Sequence, residues 1–181
     1  MAYVCRNSDG ARNFDYLALL HLCTPSHWSA EDKIGKNFFD IHQPIPGIDK
    51  INKIADKLVE TIIHKGPFTR FIWSFVTDKR LNHHPIAPDG KDQVIWTGRT
   101  FNMAQSIPFY FRVERQVTYG FADDEGSLFT INVSFLTGHE VKADPHMRDQ
   151  LISALLSMSP ESRVYKGVEN CFDELVNWLR D

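Results

Sequence analysis

One histidine stands out for the chemistry that it can perform. His42 follows the apolar residues Phe38, Phe39 and Ile41 and precedes the turn Pro44-Ile45-Pro46. Prolines fix φ and remove backbone donors, so a side chain that leads into such a turn has little conformational freedom. If the apolar residues line a cavity, a neutral imidazole here can be an axial ligand of haem iron, with its other nitrogen held by a backbone carbonyl or water. The alternative is that His42 caps a helix end beside the turn.

A second candidate is the one charged residue on the apolar face of a predicted strand. Over residues 109 to 119, Arg115 shares a face with apolar side chains, namely Phe109, Phe111, Val113, Val117 and Tyr119. Burial of an unpaired guanidinium is unfavourable, so we expect Arg115 to meet a carboxylate. That carboxylate belongs to a glutamate in a structural salt bridge, to a haem propionate or to an acidic ligand. Arg112 and Glu114 lie on the opposite face, where a surface ion pair is expected.

Three further residues are candidates for contact with a bound group. Arg70, at the head of the neighbouring predicted strand, is a second possible contact for an anion. Trp73 either forms the wall of a cofactor site or belongs to the core. Tyr165-Lys166-Gly167 either places a phenol and an ammonium at a cavity rim or marks a helix end at the glycine. The predicted cofactor-binding set is therefore His42, Arg115, Arg70, Trp73 and Lys166, with His42 as the ligand of the haem iron.

The other histidines and the cysteines do not indicate a second site. His83 and His84 are adjacent in a polar stretch, where solvated surface is the expectation and neighbouring side chains point apart. The sequence has no HxxxH spacing that would place two ligands on one helix face. The three cysteines form no CxxC pair, which argues against a disulfide framework or a thiolate metal site.

Composition excludes several classes of protein. The 181 residues suit one domain with a substantial core, and 43% hydrophobic with 24% charged residues is ordinary for a globular protein. A formal net charge of -3 provides no basic field for nucleic acid. No apolar run reaches the about 20 residues of a membrane helix, and the N-terminus lacks the pattern of a signal peptide. We therefore expect a cytoplasmic protein that binds neither nucleic acid nor a membrane.

The elements that position these residues begin with a short strand and helices. Residues 16 to 23 predict a buried strand, Ser29 suits the start of a short helix, and residues 36 to 41 predict another helical turn. Residues 48 to 64 show the clearest helical periodicity, with apolar side chains at Ile48, Ile51, Ile54, Ala55, Leu58, Val59, Ile62 and Ile63. We expect one helix there, and its apolar face should pack against a large apolar surface.

Strands dominate the middle of the chain and helices its end. Runs at 68 to 76, 109 to 119 and 128 to 136 predict β-strands, and the acidic turn at 123 to 126 predicts a hairpin between the last two. Helices are predicted over 145 to 157 and 168 to 180, with a capped helical start at Ser159-Pro160 between them.

This order predicts a single α+β domain over residues 1–181. It has an N-terminal extension at 1–15, a long loop at 77–108 and C-terminal helices at 145–181. The expected architecture is a curved antiparallel sheet with helices packed on one face, in the element order of a PAS-like fold.

Several stretches together resemble the alpha subunit of haem-dependent oxidative N-demethylase. The resemblance runs in order over about residues 17 to 168. The residues that carry it are Pro25, Trp28, Lys33, Gly35, Ile41, His42, Pro44, Pro46, Trp73, Ser74, Arg112, Val113, Glu114, Arg115, Gln116, Tyr165, Lys166 and Gly167.

The resemblance implies a fold and an activity. The family looks like a PAS sensor domain turned into a monooxygenase-type oxidoreductase, with haem iron held by one histidine and its opposite side open. Dioxygen then oxidises the methyl group of a small secondary amine, and electrons come from reductase partner subunits that carry flavin and an iron-sulfur cluster. In this chain the resemblance favours His42 as the iron ligand and Arg115 as a contact of a propionate, and a homo-oligomer is compatible with it.

Two other functions remain open from the residues. The chain can be a non-catalytic PAS-like sensor or small-ligand-binding module without haem, or an interaction subunit that docks a partner through a sheet edge or its terminal helix. Protein that stays colourless with haemin but is stabilised by another small molecule would favour the sensor.

Overall fold

The structure is a computed structural model that describes residues 2–8 and 13–181 of the chain. Within those residues, the strands are β1 (Ala2–Ser8), β2 (Asn13–Leu20), β3 (Phe68–Val76), β4 (Tyr110–Phe121) and β5 (Gly126–Thr137). The α-helices are α1 (Phe38–His42), α2 (Asp49–Asn52), α3 (Ala55–Lys65), α4 (Gln93–Thr97), α5 (Gly138–Ala143), α6 (Pro145–Leu156), α7 (Pro160–Lys166) and α8 (Phe172–Arg180). The predicted α+β class is confirmed. The PAS-like arrangement stays a prediction.

The strands form one sheet in the order β2-β1-β5-β4-β3. β1 pairs antiparallel with β2, from Ala2 opposite Leu20 to Ser8 opposite Asn13. On its other side β1 pairs antiparallel with the start of β5. The predicted hairpin between β4 and β5 is confirmed, and a 3₁₀ turn at Ala122–Asp124 joins the two strands.

The N-terminal segment contributes more to the sheet than the sequence indicated. The predicted extension at 1–15 contains β1 and the first residues of β2. Residues 1 and 9–12 of that predicted extension lie outside the described residues. The predicted strand at 16–23 begins and ends earlier, as β2.

The predicted helix over 48 to 64 is two helices. A break at Lys53 and Ile54 separates α2 from α3. The buried residues of α3 are Ala55, Val59 and Ile63, which recur every four residues, as one face of a helix requires. Ile51 and Ile54 are exposed instead of joining that face, because the break ends the helical periodicity. The helix predicted to start at Ser29 is a turn, whereas the helical turn predicted at 36 to 41 appears as α1.

The C-terminal helices are defined by their caps. Thr137 and Glu140 form a capping box at α5, a helix that the sequence analysis missed. Asp144 caps α6, and Ser159 caps α7 as predicted; a proline in the first turn follows each cap. The predicted long loop at 77–108 contains α4, which is capped by Asp92. No helix in the described part of the chain is both long and apolar enough to cross a membrane.

The chain divides into two compact units. The first unit comprises Met1–Ile72 and Glu114–Asn132, and the second comprises Trp73–Val113 and Val133–Asp181. The core of the second unit is built from β3, β4 and the C-terminal helices, with buried Phe75, Phe109, Leu155, Leu175 and Leu179. The prediction of a single domain stays a prediction.

The first unit brings α3 against bare backbone of β4. A Cβ atom at Gly120 would lie 1.9 Å from the carbonyl oxygen of Ile63, so only a glycine allows this approach. This contact and the buried face of α3 are the main packing features of the first unit near the candidate site.

Candidate functional site

Helix α1 is short, and contacts at both ends hold it in place. Asn37 caps its start by accepting a hydrogen bond from the backbone N–H of Asp40 at 2.8 Å. The backbone N–H of Phe38 donates to a carboxylate oxygen of Asp15 on β2 at 2.6 Å. At the other end, the ammonium of Lys33 donates to the carbonyl oxygen of Ile41 at 2.8 Å. These bonds stabilise five helical residues that would be only marginally helical alone.

His42 is the last residue of α1 and is half-buried. Its Nδ1 lies 2.7 Å from the carbonyl oxygen of Phe38, one helical turn earlier. Because a carbonyl only accepts, Nδ1 carries the ring hydrogen, and in the neutral ring Nε2 keeps its lone pair. The Phe38 ring packs on the imidazole, with 4.1 Å between the ring centroids. The ring orientation and the tautomer are therefore both fixed within the helix.

The surroundings favour the neutral form of His42. Burial lowers the pKa of His42, and the Phe38 carbonyl opposes that effect. The positive charges of Arg70 and Lys33 lower this pKa further, while Asp15 acts in the opposite direction. A neutral imidazole with a free Nε2 lone pair is the form that coordinates a metal ion.

Arg70 is held near His42 by a polar network on strand β4. Arg70 Nε donates to Oε1 of Gln116 at 2.8 Å, and Nε2 of Gln116 donates to Oε2 of Glu114 at 2.9 Å. Glu114 and Gln116 are buried, while Arg70 as a whole is exposed. Partial burial of its guanidinium lowers the pKa of Arg70, and the nearby Glu114 opposes this. Glu114 thus orients the amide of Gln116, and Gln116 orients Arg70.

Trp73 and Lys166 contact each other within the second unit. The Lys166 ammonium lies 4.3 Å from the centre of the Trp73 ring and donates to the Trp73 backbone carbonyl. Trp73 also stacks on Phe111, with 5.2 Å between centroids. The exposed Tyr165 and the half-buried Lys166 end α7, and Gly167 follows with φ 73°, as the helix end predicted at this glycine requires. The roles of Trp73 and Lys166 toward a cofactor stay predictions.

The expected burial of Arg115 is wrong. Arg115 is exposed, whereas Arg112, Glu114 and Gln116 on the other face of β4 are buried. The alternation along the strand was correct, but around Arg115 the polar residues are the buried ones, although Phe109 and Val117 on the Arg115 face are buried as well. Arg112 donates to the carbonyl oxygen of Leu81 at 3.1 Å and is fully buried. The expectation that a buried guanidinium meets a partner therefore applies to Arg112 and not to Arg115. A contact of Arg115 with a propionate stays a prediction.

A family model matches almost the whole chain. Residues 1–176 match the model described as haem-dependent oxidative N-demethylase, alpha subunit-like. The chain belongs to this family. The name of the family describes its members as haem-dependent. The resemblance found in the sequence is confirmed.

The hydrogen bonding of His42 is of the kind that a haem-ligating histidine would need. A haem-ligating histidine needs a free Nε2 lone pair and, on Nδ1, a hydrogen bond to an acceptor such as a backbone carbonyl. His42 has both features. Arg70, a cation close enough to act on the ring, is of the residue type that pairs with a carboxylate such as a propionate.

Sequence reasoning missed two groups of polar residues in this family member. Gln116 and Glu114 follow Arg112 at every second position, and that spacing was the available signal for a buried polar face. His83, expected at the solvated surface, is 1% exposed. Its surroundings include Arg99 and Arg112, which are distant in sequence, so no local pattern indicated its burial. In the part of the chain that the structure describes, no cluster of three or more His, Cys, Asp or Glu side chains suits a metal ion.

Proposed function

We propose that this chain binds haem through Nε2 of His42 and serves as the catalytic subunit of an oxidative N-demethylase. The single observation that carries the proposal is the 2.7 Å bond from Nδ1 of His42 to the Phe38 carbonyl oxygen. It leaves Nε2 as the lone-pair nitrogen in a ring whose pKa is lowered by burial. Membership of the N-demethylase alpha subunit-like family supports the identity of the cofactor.

Bound haem supplies an iron that activates dioxygen for oxidation of an N-methyl group. The substrate class that we propose is a small secondary amine, and a reductase partner with flavin and an iron-sulfur cluster supplies the electrons. The protein is then an oxidoreductase of monooxygenase type.

The residues around His42 have separate tasks in this function. The Phe38 carbonyl holds the proton on Nδ1, so the imidazole presents Nε2 in one orientation. Arg70 keeps a positive charge near the ring, which disfavours the imidazolium and offers a partner for a propionate. Gln116 and Glu114 position Arg70 through two hydrogen bonds. We assign no contact with substrate to these residues.

The test is an absorption spectrum of the purified protein with haemin. We expect a Soret band of a histidine-ligated haem in the wild type and its shift or loss in His42→Ala. Imidazole added to the variant should restore the wild-type band, because it can replace the missing ligand. His64→Ala removes another histidine of the first unit, which bonds to Glu60 at 3.3 Å, and should leave the band unchanged.

Two outcomes would overturn parts of the proposal. An identical Soret band in wild type and His42→Ala would remove His42 as the ligand. Protein that stays colourless with haemin, yet is stabilised against heat by another small molecule, would favour the sensor or ligand-binding module. Circular dichroism of His42→Ala shows whether the variant is folded, so that a lost band reports on the ligand.

A further inference from the structure

A cluster of positive charges surrounds one buried histidine in the second unit. Asp78 lies 3.4 Å from Nε2 of His83 and 3.6 Å from Nη2 of Arg80. The charges of Arg80, Arg112 and Arg99 all act on the His83 ring, where Asp78 is the opposing carboxylate. Arg80 and Arg99 therefore place two guanidiniums near this ring, where Asp78 is the one carboxylate among the described residues that acts on it. Such an imbalance favours binding of an anion.

Two of these guanidiniums have donors without a protein acceptor. Arg80 uses Nη2 for Asp78 and for the carbonyl oxygen of Trp96, and Arg99 uses Nη1 for the carbonyl oxygen of Tyr165 at 3.2 Å. Nη1 of Arg80 and Nη2 of Arg99 bond to none of the residues that the structure describes. The Nε atoms of both are buried and have no hydrogen-bond partner among the described residues.

The partial burial of these cations makes an anion favourable. Burial lowers the pKa of the Arg99 guanidinium, which shows that water solvates this charge incompletely. A cation that has lost water and has few acceptors is stabilised when an anion comes close. Arg80 and Arg99 are both half-buried, so their remaining Nη groups can still meet a ligand from solution.

The two arginines are also held in place. The Arg80 guanidinium lies over the Trp96 ring at 3.9 Å, and the Trp96 indole donates to the carbonyl oxygen of His84 at 2.7 Å. The aliphatic part of Arg99 packs where Gly167 has no side chain, since a Cβ there would lie 2.6 Å from Cδ of Arg99. Donors that are ordered before binding lose less entropy when they bind a ligand.

We propose that Arg80 and Arg99 form a binding site for a small oxyanion, either a phosphate or a carboxylate. Their unused Nη groups donate to the oxyanion. The site shares no residue with the His42 region and does not depend on haem binding. A protein that fails the haemin test can therefore still bind the oxyanion, and the reverse is also possible.

The test is thermal unfolding of the full chain, without haemin, in sodium phosphate, sodium malonate and sodium chloride of equal ionic strength. We expect at least one of the two oxyanions to raise Tm above its value in chloride, and a titration gives the dissociation constant. Phosphate and malonate distinguish the two kinds of ligand. In Arg99→Gln the affinity should fall about tenfold or more, which corresponds to about 1.4 kcal/mol.

Arg148→Gln is the matched control. Arg148 lies in the second unit, and its Nε donates to the exposed Asp149 at 2.9 Å. Neither residue belongs to the cluster around His83. This variant should keep the wild-type affinity for the oxyanion. An equal loss of affinity for the oxyanion in Arg99→Gln and Arg148→Gln would contradict a site at Arg99. A Tm that is no higher in either oxyanion than in chloride would overturn the proposal.

A second readout remains valid if Arg99→Gln does not fold. In the wild type, a bound oxyanion offsets the positive charges that act on His83, so its pKa should rise. Nuclear magnetic resonance of the histidine ring signals across pH, with and without the oxyanion, measures this shift. A His83 pKa that is the same in phosphate, malonate and chloride would also overturn the proposal.

Discussion

At the scale of single residues, burial lowers the pKa of His42, and Arg70 lowers it further. Its positive charge lowers the pKa of His42, and Gln116 holds it by a 2.8 Å hydrogen bond. We expect Arg70→Gln to raise the pKa of His42, because the variant removes that charge. Titration of the histidine ring signals by nuclear magnetic resonance, in protein without haemin, measures the pKa of His42. Arg115→Gln removes an exposed arginine of β4 as a control, and a lower or unchanged pKa of His42 in Arg70→Gln would contradict the assignment.

His83 should make the protein less stable in mild acid. Burial lowers its pKa from 6.5 to about 4, with Asp78 acting in the opposite direction. Between those values the unfolded chain binds a proton that the folded protein does not, so the free energy of unfolding falls as the pH is lowered. The loss attributable to His83 between about pH 7 and pH 5 is about 2 kcal/mol.

Urea denaturation at several pH values checks this expectation. His83→Asn should lose less stability than the wild type over the same pH range, whatever its stability at neutral pH. Because the slopes of the free energy of unfolding against pH are compared, the test stays valid if the variant is less stable at every pH. Equal slopes for the two proteins would show that His83 does not titrate in this window.

The sequence predicted part of the site, for physical reasons that differ by residue. The position of His42 at a helix end followed from nearby residues, and its hydrogen bond spans only four positions. Arg115 was placed on the wrong side because alternation defines two strand faces without showing which one is interior. Burial of Arg112 depends on partners such as the Leu81 carbonyl, 31 residues away, which no local pattern reveals.

At the scale of elements, the contact of α3 with β4 depends on Gly120. The Cβ of an alanine would lie 1.9 Å from the Ile63 carbonyl oxygen, which is backbone and cannot rotate away. We expect Gly120→Ala to lower the free energy of unfolding by about 3 kcal/mol or more, because the helix or the strand must shift. Chemical denaturation followed by circular dichroism measures the loss.

Gly66→Ala provides the matched control at the same contact. A Cβ there would meet its nearest atoms at 3.4 and 3.5 Å, which are ordinary van der Waals distances. This variant should lose clearly less stability than Gly120→Ala. Similar losses in both variants would show that the clash at Gly120 is relieved without cost.

Elements with strong local signals were predicted well. The cap at Ser159 and the hairpin turn before Gly126 act within a few residues, and both predictions are confirmed. The break between α2 and α3 was not foreseen, because the apolar period continues through Ile54. Strand β1 was missed because its place depends on pairing with β5, more than 100 residues later.

At the scale of the whole molecule, three strands belong to both compact units. β3, β4 and β5 each contribute residues to the first and to the second unit. Because the same strands would have to unfold in both, we expect one cooperative unfolding transition, in line with the predicted single domain.

Tryptophan fluorescence can test this expectation. Trp28 lies in the first unit, and Trp73, Trp96 and Trp178 lie in the second. In Trp28→Phe, fluorescence therefore reports on the second unit, while far-ultraviolet circular dichroism reports on the whole chain. The two signals should give the same denaturation midpoint. Separate midpoints would show that the units unfold independently.

The acceptor for the His42 ring hydrogen has a consequence for sequence variation. The carbonyl of Phe38 belongs to the main chain, so every residue type at position 38 supplies it as long as α1 forms. Mutational drift can therefore exchange the aromatic ring that packs on the imidazole without altering which nitrogen carries the ring hydrogen. Evolution is free to change the packing around His42 while the tautomer of its ring is inherited unchanged.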